Sequence, residues 1–328
     1  MLPQVGVLRS CFCQYTFGVR FHQFRAATAL FFVSLVVSVW PLGAQDAGWQ
    51  QDLAAWRTGH AAELRKPDGW LALAGLEWLS PGDNTFGSAA DNKIRLPASG
   101  PANAGILHLE GMVVTLNPPA SGFPPGLLID GKPAQSRELP AGANSDQGNP
   151  RMTMGPLNLY VVRRGDRFAL RIKDAKSAAI VEFHGLKWYP ADAAFRLKAQ
   201  WVPYTPPKSI TLATLIGTSY DRPVPGAAEF TLRGKAYKLE PVVEDTPAVK
   251  LFFILRDTTS GSTTYAACRF LYTGLPSNGL DRPGVLELDF NHLENPPCAY
   301  TPYATCPLPP PGNRLPIPLP VGEQRYHE

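Results

Sequence analysis

The chain has 328 residues, 45% of them hydrophobic and 18% charged, which is enough apolar material to bury a core and excludes wholesale disorder. Its 34 prolines are about 10% of the residues, roughly twice ordinary usage; with 29 glycines they punctuate the chain too often for a helical bundle or a doubly wound α/β fold. The formal charge is +4 and no basic run with interleaved aromatics is present, so the electrostatic footprint of a nucleic-acid binder is missing.

Up to Asp46 the chain has no acidic residue, only Arg9, Arg20 and Arg25 and then an uncharged stretch from Ala26 to Ala44. This is a secretory signal pattern over residues 1–44, with the cut expected after Ala44, although Leu42 fits the small-residue rule poorly. The apolar run approaches the roughly 20 residues of a membrane span, and retention as an anchor is the alternative. Cleavage leaves no stable membrane span and an exported protein, periplasmic or extracellular. It also removes three arginines and no acid, so the formal charge falls from +4 to +1.

Residues 46–66 read as one amphipathic helix, with Trp49, Leu53, Trp56 and Leu64 near helical spacing and Lys66 to Gly69 ending it. His60, like His327, reads as a surface residue. From 69 to 176, short extended pieces alternate with turn chemistry such as Ser80 to Asn84 and Asp130 to Lys132, predicting a small antiparallel β-sandwich or barrel. Arg164, Gly165 and Asp166 spell an adhesion tripeptide, but between two strand patterns they read as a hairpin turn.

Residues 179–328 carry a second set of strands, Ala179 to Phe183, Phe195 to Val202, Ser209 to Ile216, Glu229 to Leu232, Ala236 to Leu239, Leu251 to Leu255, Thr263 to Tyr272 and Val285 to Asn291. The fold class is therefore mostly β: an N-terminal helix and then two antiparallel sandwich- or barrel-like domains with a boundary near 175–190. Ten prolines between Pro296 and Pro320 exclude central sheet there. The segment reads as an ordered, lid-like loop closing in an edge strand through Leu315, Ile317, Leu319 and Val321. Cys11 and Cys13 leave with the signal; Cys298 and Cys306 are the natural disulfide of an oxidising compartment, and Cys268 a buried free thiol. A metal site is the alternative, without a Cys-x-x-Cys or a His doublet to support it.

No nucleophile elbow, zinc-protease helix, phosphate loop, dinucleotide fingerprint or calcium loop occurs, and nothing names a cofactor. The chemistry-bearing pattern lies between 251 and 295. Val285, Glu287, Asp289 and Asn291 alternate with Leu286, Leu288 and Phe290, and Tyr265 and Arg269 share a face of the preceding strand. If those two strands pair, Tyr265, Arg269, Asp289 and Asn291 line one surface, where Arg and Asp form a pair and the amide and phenol fix a ligand. The bland alternative is a solvated face with an ordinary salt bridge. Asp257, opening the loop to Gly261, is a candidate base or a backbone cap, and Asn295 a ligand or a pin for the proline-rich loop.

The segments Asp257 to Leu271, Leu288 to Asn291, Asn295 to Ala299, Cys306 to Pro310, Asn313 to Leu315 and Gly322 to Glu323 resemble the C-terminal signature of the bacterial and archaeal domain-of-unknown-function family 1684. Asp68 to Leu71, Asn84 to Gly87 and Gly165 to Asp174 are similar to it upstream. Cys268 stands where the family has glycine, which leaves Cys298 and Cys306 as the family's pair. The resemblance implies no reaction or cofactor, but it adds weight to Tyr265, Arg269, Asp289, Asn291, Asn295 and Glu323. Three functional readings follow. The first is an enzyme, most directly a hydrolase, with Asp289 or Asp257 as base and Arg269 with Asn291 binding an oxyanion. The second is a non-catalytic module binding a small anionic or carbohydrate-like ligand through Tyr265, Asn295 and Glu323. The third is a structural envelope protein.

Overall fold

The computed structural model describes residues 42–143 and 146–326. The expected signal segment up to residue 41, with Cys11 and Cys13, lies outside the described residues, as does His327. Helix α1 spans Leu42–Leu64 and so begins before the expected cut. Trp49, Leu53 and Leu64 are buried, and with Trp56 and His60 they fall at i, i+4, i+7, i+11 and i+15 on one face. Among the described residues no helix is long and apolar enough to cross a membrane.

The first half of the body contains β1 (Leu73–Trp78), β2 (Gly82–Gly87), β3 (Ile94–Arg95), β4 (Gly105–Glu110), β5 (Val113–Asn117), β6 (Leu128–Ile129), β7 (Lys132–Pro133), β8 (Arg137–Glu138), β9 (Met152–Met154), β10 (Leu157–Arg164) and β11 (Arg167–Asp174). These form a six-stranded sheet ordered β1-β11-β10-β9-β6-β7 and a five-stranded sheet ordered β3-β2-β4-β5-β8. Phe86, Leu107 and Leu116 of one sheet meet Met152, Leu159 and Leu170 of the other in a single apolar cluster, the core of a β-sandwich. Arg164 pairs with Arg167 across the tight turn between β10 and β11, and Gly165 there takes φ +64°, so the tripeptide is a hairpin turn. The outer face of this sheet is not left to solvent: Tyr160, Arg164 and Arg171 are buried on it.

Beyond β11 the expected strand at 179–183 is instead the short helix α2 (Ala178–Val181), started by Ser177, whose hydroxyl accepts from the Ile180 N–H at 3.2 Å. The second half contains β12 (Arg196–Ala213), β13 (Ser219–Leu232), β14 (Lys235–Leu239), β15 (Leu251–Leu255), β16 (Arg269–Thr273) and β17 (Gly284–Asp289). A four-stranded sheet runs β14-β13-β12-β17, and β15 pairs with β16 as a separate ribbon; among the described residues no closed barrel forms. Strand β15 is buried throughout: Leu251, Phe253 and Leu255 face a core with Trp201, Phe230 and Leu286, while Phe252 and Ile254 face a second cluster with Phe270, Cys268 and Cys306.

Two expectations are corrected here. Strand β16 pairs with β15 and β17 with β12, so the ribbon proposed from Thr263–Tyr272 and Val285–Asn291 does not exist. Residues 315–321 do not form an edge strand: Pro316, Pro318 and Pro320 lack ladder donors, although Leu315, Leu319 and Val321 insert into the core. The proline-rich segment is ordered by short 3-10 turns at Pro297–Ala299 and Pro311–Asn313.

Candidate functional site

Apart from Tyr265, the residues singled out in the sequence fall into three hydrogen-bonded groups, the first and third joined through the backbone of Glu323. In the first, Arg269 and Asp257 are ion-paired at 3.2 Å with both side chains fully buried. The Arg269 guanidinium also donates to the carbonyls of Leu319 (2.9 Å), Val321 and Glu323 (3.4 Å). Asp257 accepts from the Thr259 N–H (2.8 Å), the Thr259 hydroxyl (2.6 Å) and the Leu319 N–H (3.2 Å). Burial pulls the Arg269 pKa down although Asp257 opposes it. The protein's own C-terminal strap thus occupies the position assigned to an oxyanion, and Arg269 and Asp257 fasten residues 319–323 to the body.

Gly322 makes that strap possible. It takes φ +76°, and a Cβ there would lie 2.5 Å from the Leu293 carbonyl oxygen and 2.8 Å from Arg269 Nη2. Gly322→Ala is expected to cost about 2 kcal/mol or more, because steric conflict adds to the roughly 1–2 kcal/mol of left-handed backbone. Gly234→Ala, at φ +74° with nothing within 4 Å, should cost the backbone contribution alone. Equal urea midpoints for the two variants would contradict the strap's tight seating.

In the second group Asp289 ends β17. It accepts from Trp49 Nε1 of α1 at 2.6 Å and from the Asn291 side chain at 2.8 Å, and it pairs with His292 at 3.3 Å. Burial opposes its ionisation, but the hydrogen bonds from His292, Asn291 and Trp49 hold its carboxyl below the usual range. Asn291 lies past the strand in a 3-10 turn, fully buried, and exchanges two 2.9 Å hydrogen bonds with the backbone of Asp192. Asp289 and Asn291 are therefore together, but Arg269 is tied elsewhere. Tyr265 is apart from both, donating to the Cys298 carbonyl at 3.1 Å.

The third group borders open space. Glu323 is fully buried, and its carboxylate accepts from the Asn295 N–H (2.9 Å), Asn295 Nδ2 (2.8 Å) and the Tyr300 hydroxyl (2.7 and 2.9 Å). His60 bridges two acids, with Nε2 at 3.5 Å from Glu323 and Nδ1 at 3.4 Å from Glu294. Its ring stacks on Trp56 at 5.5 Å and meets the edge of Trp188 at 6.0 Å. Burial works against a charged His60, yet the two carboxylates outweigh it and raise its pKa. Burial pushes Glu294 up to about 7, with His60 pulling down and Glu323 adding to the rise.

His60, Glu294, Asn295 and Tyr300 line a cavity of about 500 Å³. Trp70, Phe252 and Tyr272 supply aromatic wall, and Arg164 and Arg171 of the sandwich supply cations. Both arginines converge on Asp146: Arg164 Nη2 at 2.8 Å and Arg171 through Nη1. Of the residues expected from sequence, Asn295 lines this cavity and Glu323 stands directly behind its wall. His60, Glu294, Tyr300, Arg164 and Arg171 were not anticipated. The expected disulfide is not formed; Cys268, Cys298 and Cys306 are free thiols, with the Cys298 N–H donating to Cys306 Sγ at 3.1 Å. The Cys306 hydrogen bond holds the Cys298 thiol below its usual range, while burial drives Cys306, which lines the cavity, upward. No three His, Cys, Asp or Glu side chains among the described residues are grouped to hold a metal ion.

Comparison with known proteins adds a family without an activity. Residues 181–324 match the profile described as "Protein of unknown function (DUF1684)". No curated protein matches the chain. A solution structure of an uncharacterised protein from gene locus rrnAC0354 of Haloarcula marismortui is 26% identical over 44% of this chain and 78% of its own, with a TM-score of 0.37. The matched family segment contains Glu294, Asn295, Tyr300 and Glu323, but His60, Arg164 and Arg171 lie outside it.

Proposed function

We propose that this chain, which belongs through residues 181–324 to a family of unknown function, binds a small polar ligand in the cavity between the sandwich and the C-terminal half. The carrying observation is the chain of Glu294, His60 and Tyr300 on the cavity wall with Glu323 behind it. Four ionisable groups held together out of water are costly to fold, and such clusters concentrate where a ligand is met. The aromatic walls fit the usual make-up of small-molecule sites, apolar surface with a few convergent polar groups.

A second reading has the same residues transfer a proton. Glu294 near 7 and a His60 with a raised pKa are matched to acid-base work at neutral pH. A hydrolase built on this chain would take its base here, since the oxygens of Asp257 and Asp289 already accept internal hydrogen bonds. The reading extends to an exported protein on the strength of the segment before Asp46.

Thermal melts of the purified protein against organic acids, amines and sugars test the binding reading. At least one class should raise Tm in a saturable way, and Glu294→Gln should change that response. Flat melts across all three classes would refute it.

A further inference from the structure

We propose that the arginine end of the cavity is a carboxylate subsite, so that the ligand carries a carboxylate seated against the Nε and Nη2 edge of Arg171; this rests on the cavity being a binding site. Arg171 is 1% exposed and lines the cavity. Its Nη1 is bound to Asp146, whereas Nε and Nη2, both buried, have no hydrogen-bond partner among the described residues. These two N–H groups point the same way along one edge of the planar guanidinium, the fork that matches the two oxygens of a carboxylate.

Arg164 does not compete for that role. Its Nε donates to the Thr305 hydroxyl (3.1 Å), Nη1 to the Arg163 carbonyl (2.9 Å) and Nη2 to Asp146 (2.8 Å). Two guanidinium groups share one carboxylate, so this end carries one positive charge in excess, which a single carboxylate balances and a phosphate dianion overshoots. The other acids on the lining belong to other segments. Glu63 is paired with Lys66 at 2.6 Å and Glu294 faces His60; Asp68 and Glu244 lie on exposed loops. Leaving two charged donors buried without acceptors is costly, and a ligand carboxylate removes that cost. Trp70, whose ring centre lies 6.0 Å from the Arg171 guanidinium carbon, gives the ligand's apolar body a wall beside the charge.

The test is calorimetric titration of the full chain with phenylacetate, its neutral isostere phenylacetamide, and inorganic phosphate. Phenylacetate should bind at least tenfold more tightly than phenylacetamide. Arg171→Lys, which keeps the charge but not the fork, should remove most of that preference. The wild-type comparison stands without the variant, and in it the Arg171 Nε–H resonance should move downfield with phenylacetate only. Equal affinities for acid and amide would overturn the subsite while leaving the cavity reading intact, as would tighter binding of phosphate than of phenylacetate. If neither aromatic probe binds but a neutral sugar does, the subsite falls and the cavity stands. If nothing in the acid, amine and sugar classes binds, the cavity reading itself fails.

Discussion

Arg269→Met is expected to lower the free energy of unfolding by about 3–5 kcal/mol, the range for removing one partner of a buried ion pair. The substitution fills most of the arginine's volume, so cavity formation is a minor part of the loss. What it leaves is Asp257, fully buried and deprived of its cation, together with the Leu319, Val321 and Glu323 carbonyls, which lose a charged donor. Both effects act on the same strap, so the damage is directed: the segment from Leu315 to Tyr326 should become cleavable by protease before the sandwich does. Glu323 leaves with the strap, which dismantles the His60 wall of the cavity as well. The double variant Asp257→Leu with Arg269→Met should recover part of the loss, since an apolar pair can replace a buried ion pair at little cost. Urea unfolding and limited proteolysis measure both statements. A single variant within 1 kcal/mol of wild type, against the roughly 5–15 kcal/mol of ordinary domain stability, would mean that the pair contributes nothing to holding the C-terminus.

How far the sequence led depends on whether the governing contact was local. The alternation of β17 was legible because Leu286 and Leu288 are buried while Val285 and Glu287 are exposed, a period-2 pattern written in six residues. Asn291 broke the pattern because Asp289 caps a 3-10 turn there, and a cap reads in sequence like one more polar strand position. Pairing was not legible. Thr263 to Cys268 alternates as well as a strand does, yet it is the loop between β15 and β16, and which ribbon joins which sheet is decided by long-range burial.

The site divides in the same way. Asn295 stood out beside the proline-rich loop, and Glu323 through the family resemblance. His60 completes the Trp49, Leu53, Trp56 and Leu64 stripe on α1, so its inward orientation was available from spacing alone; only its partners, more than 230 residues away, were hidden. Arg171 alternates with Leu170 and Ile172, whose side chains fill the sandwich core, and a cation on the opposite face reads as solvated. It is buried with Asp146 bound to its guanidinium and Trp70 beside it, contacts from outside its own strand that no local pattern records.

Between about pH 4.5 and 7 the protein should lose stability as pH rises, and Glu294→Gln should remove most of that slope. Glu294 has its pKa raised from 4.5 to about 7 in the folded state. The folded protein therefore holds this proton more tightly than the unfolded chain, and stability decreases as pH passes from the unfolded value to the folded one. The shift corresponds to on the order of 3 kcal/mol at full development. His60 acts in the same direction: its folded pKa lies above the usual 6.5, so its contribution is complete below that value and is lost as pH rises through the folded one. Because Glu294, His60 and Glu323 face one another, with Lys250 and His292 also acting on Glu294, the steps belong to the cluster rather than to single residues. Asp289 has the opposite sign. Its pKa is depressed from 3.8, so its contribution is present above that value and is lost as pH falls through the folded one. The two trends place maximal stability near pH 4–5, with an acid limb set by Asp289 and a neutral limb set by Glu294 and His60. Melting curves at pH 5 and pH 8 test the neutral limb: wild type should melt lower at pH 8, and Glu294→Gln should be more stable than wild type at pH 8 by about 1–2 kcal/mol, less than the full shift because the paired His60 loses a partner. A variant with the wild-type pH slope would show that Glu294 ionises in the folded protein as freely as in water, and the cavity wall would then lack the proton-sharing pair assigned to it.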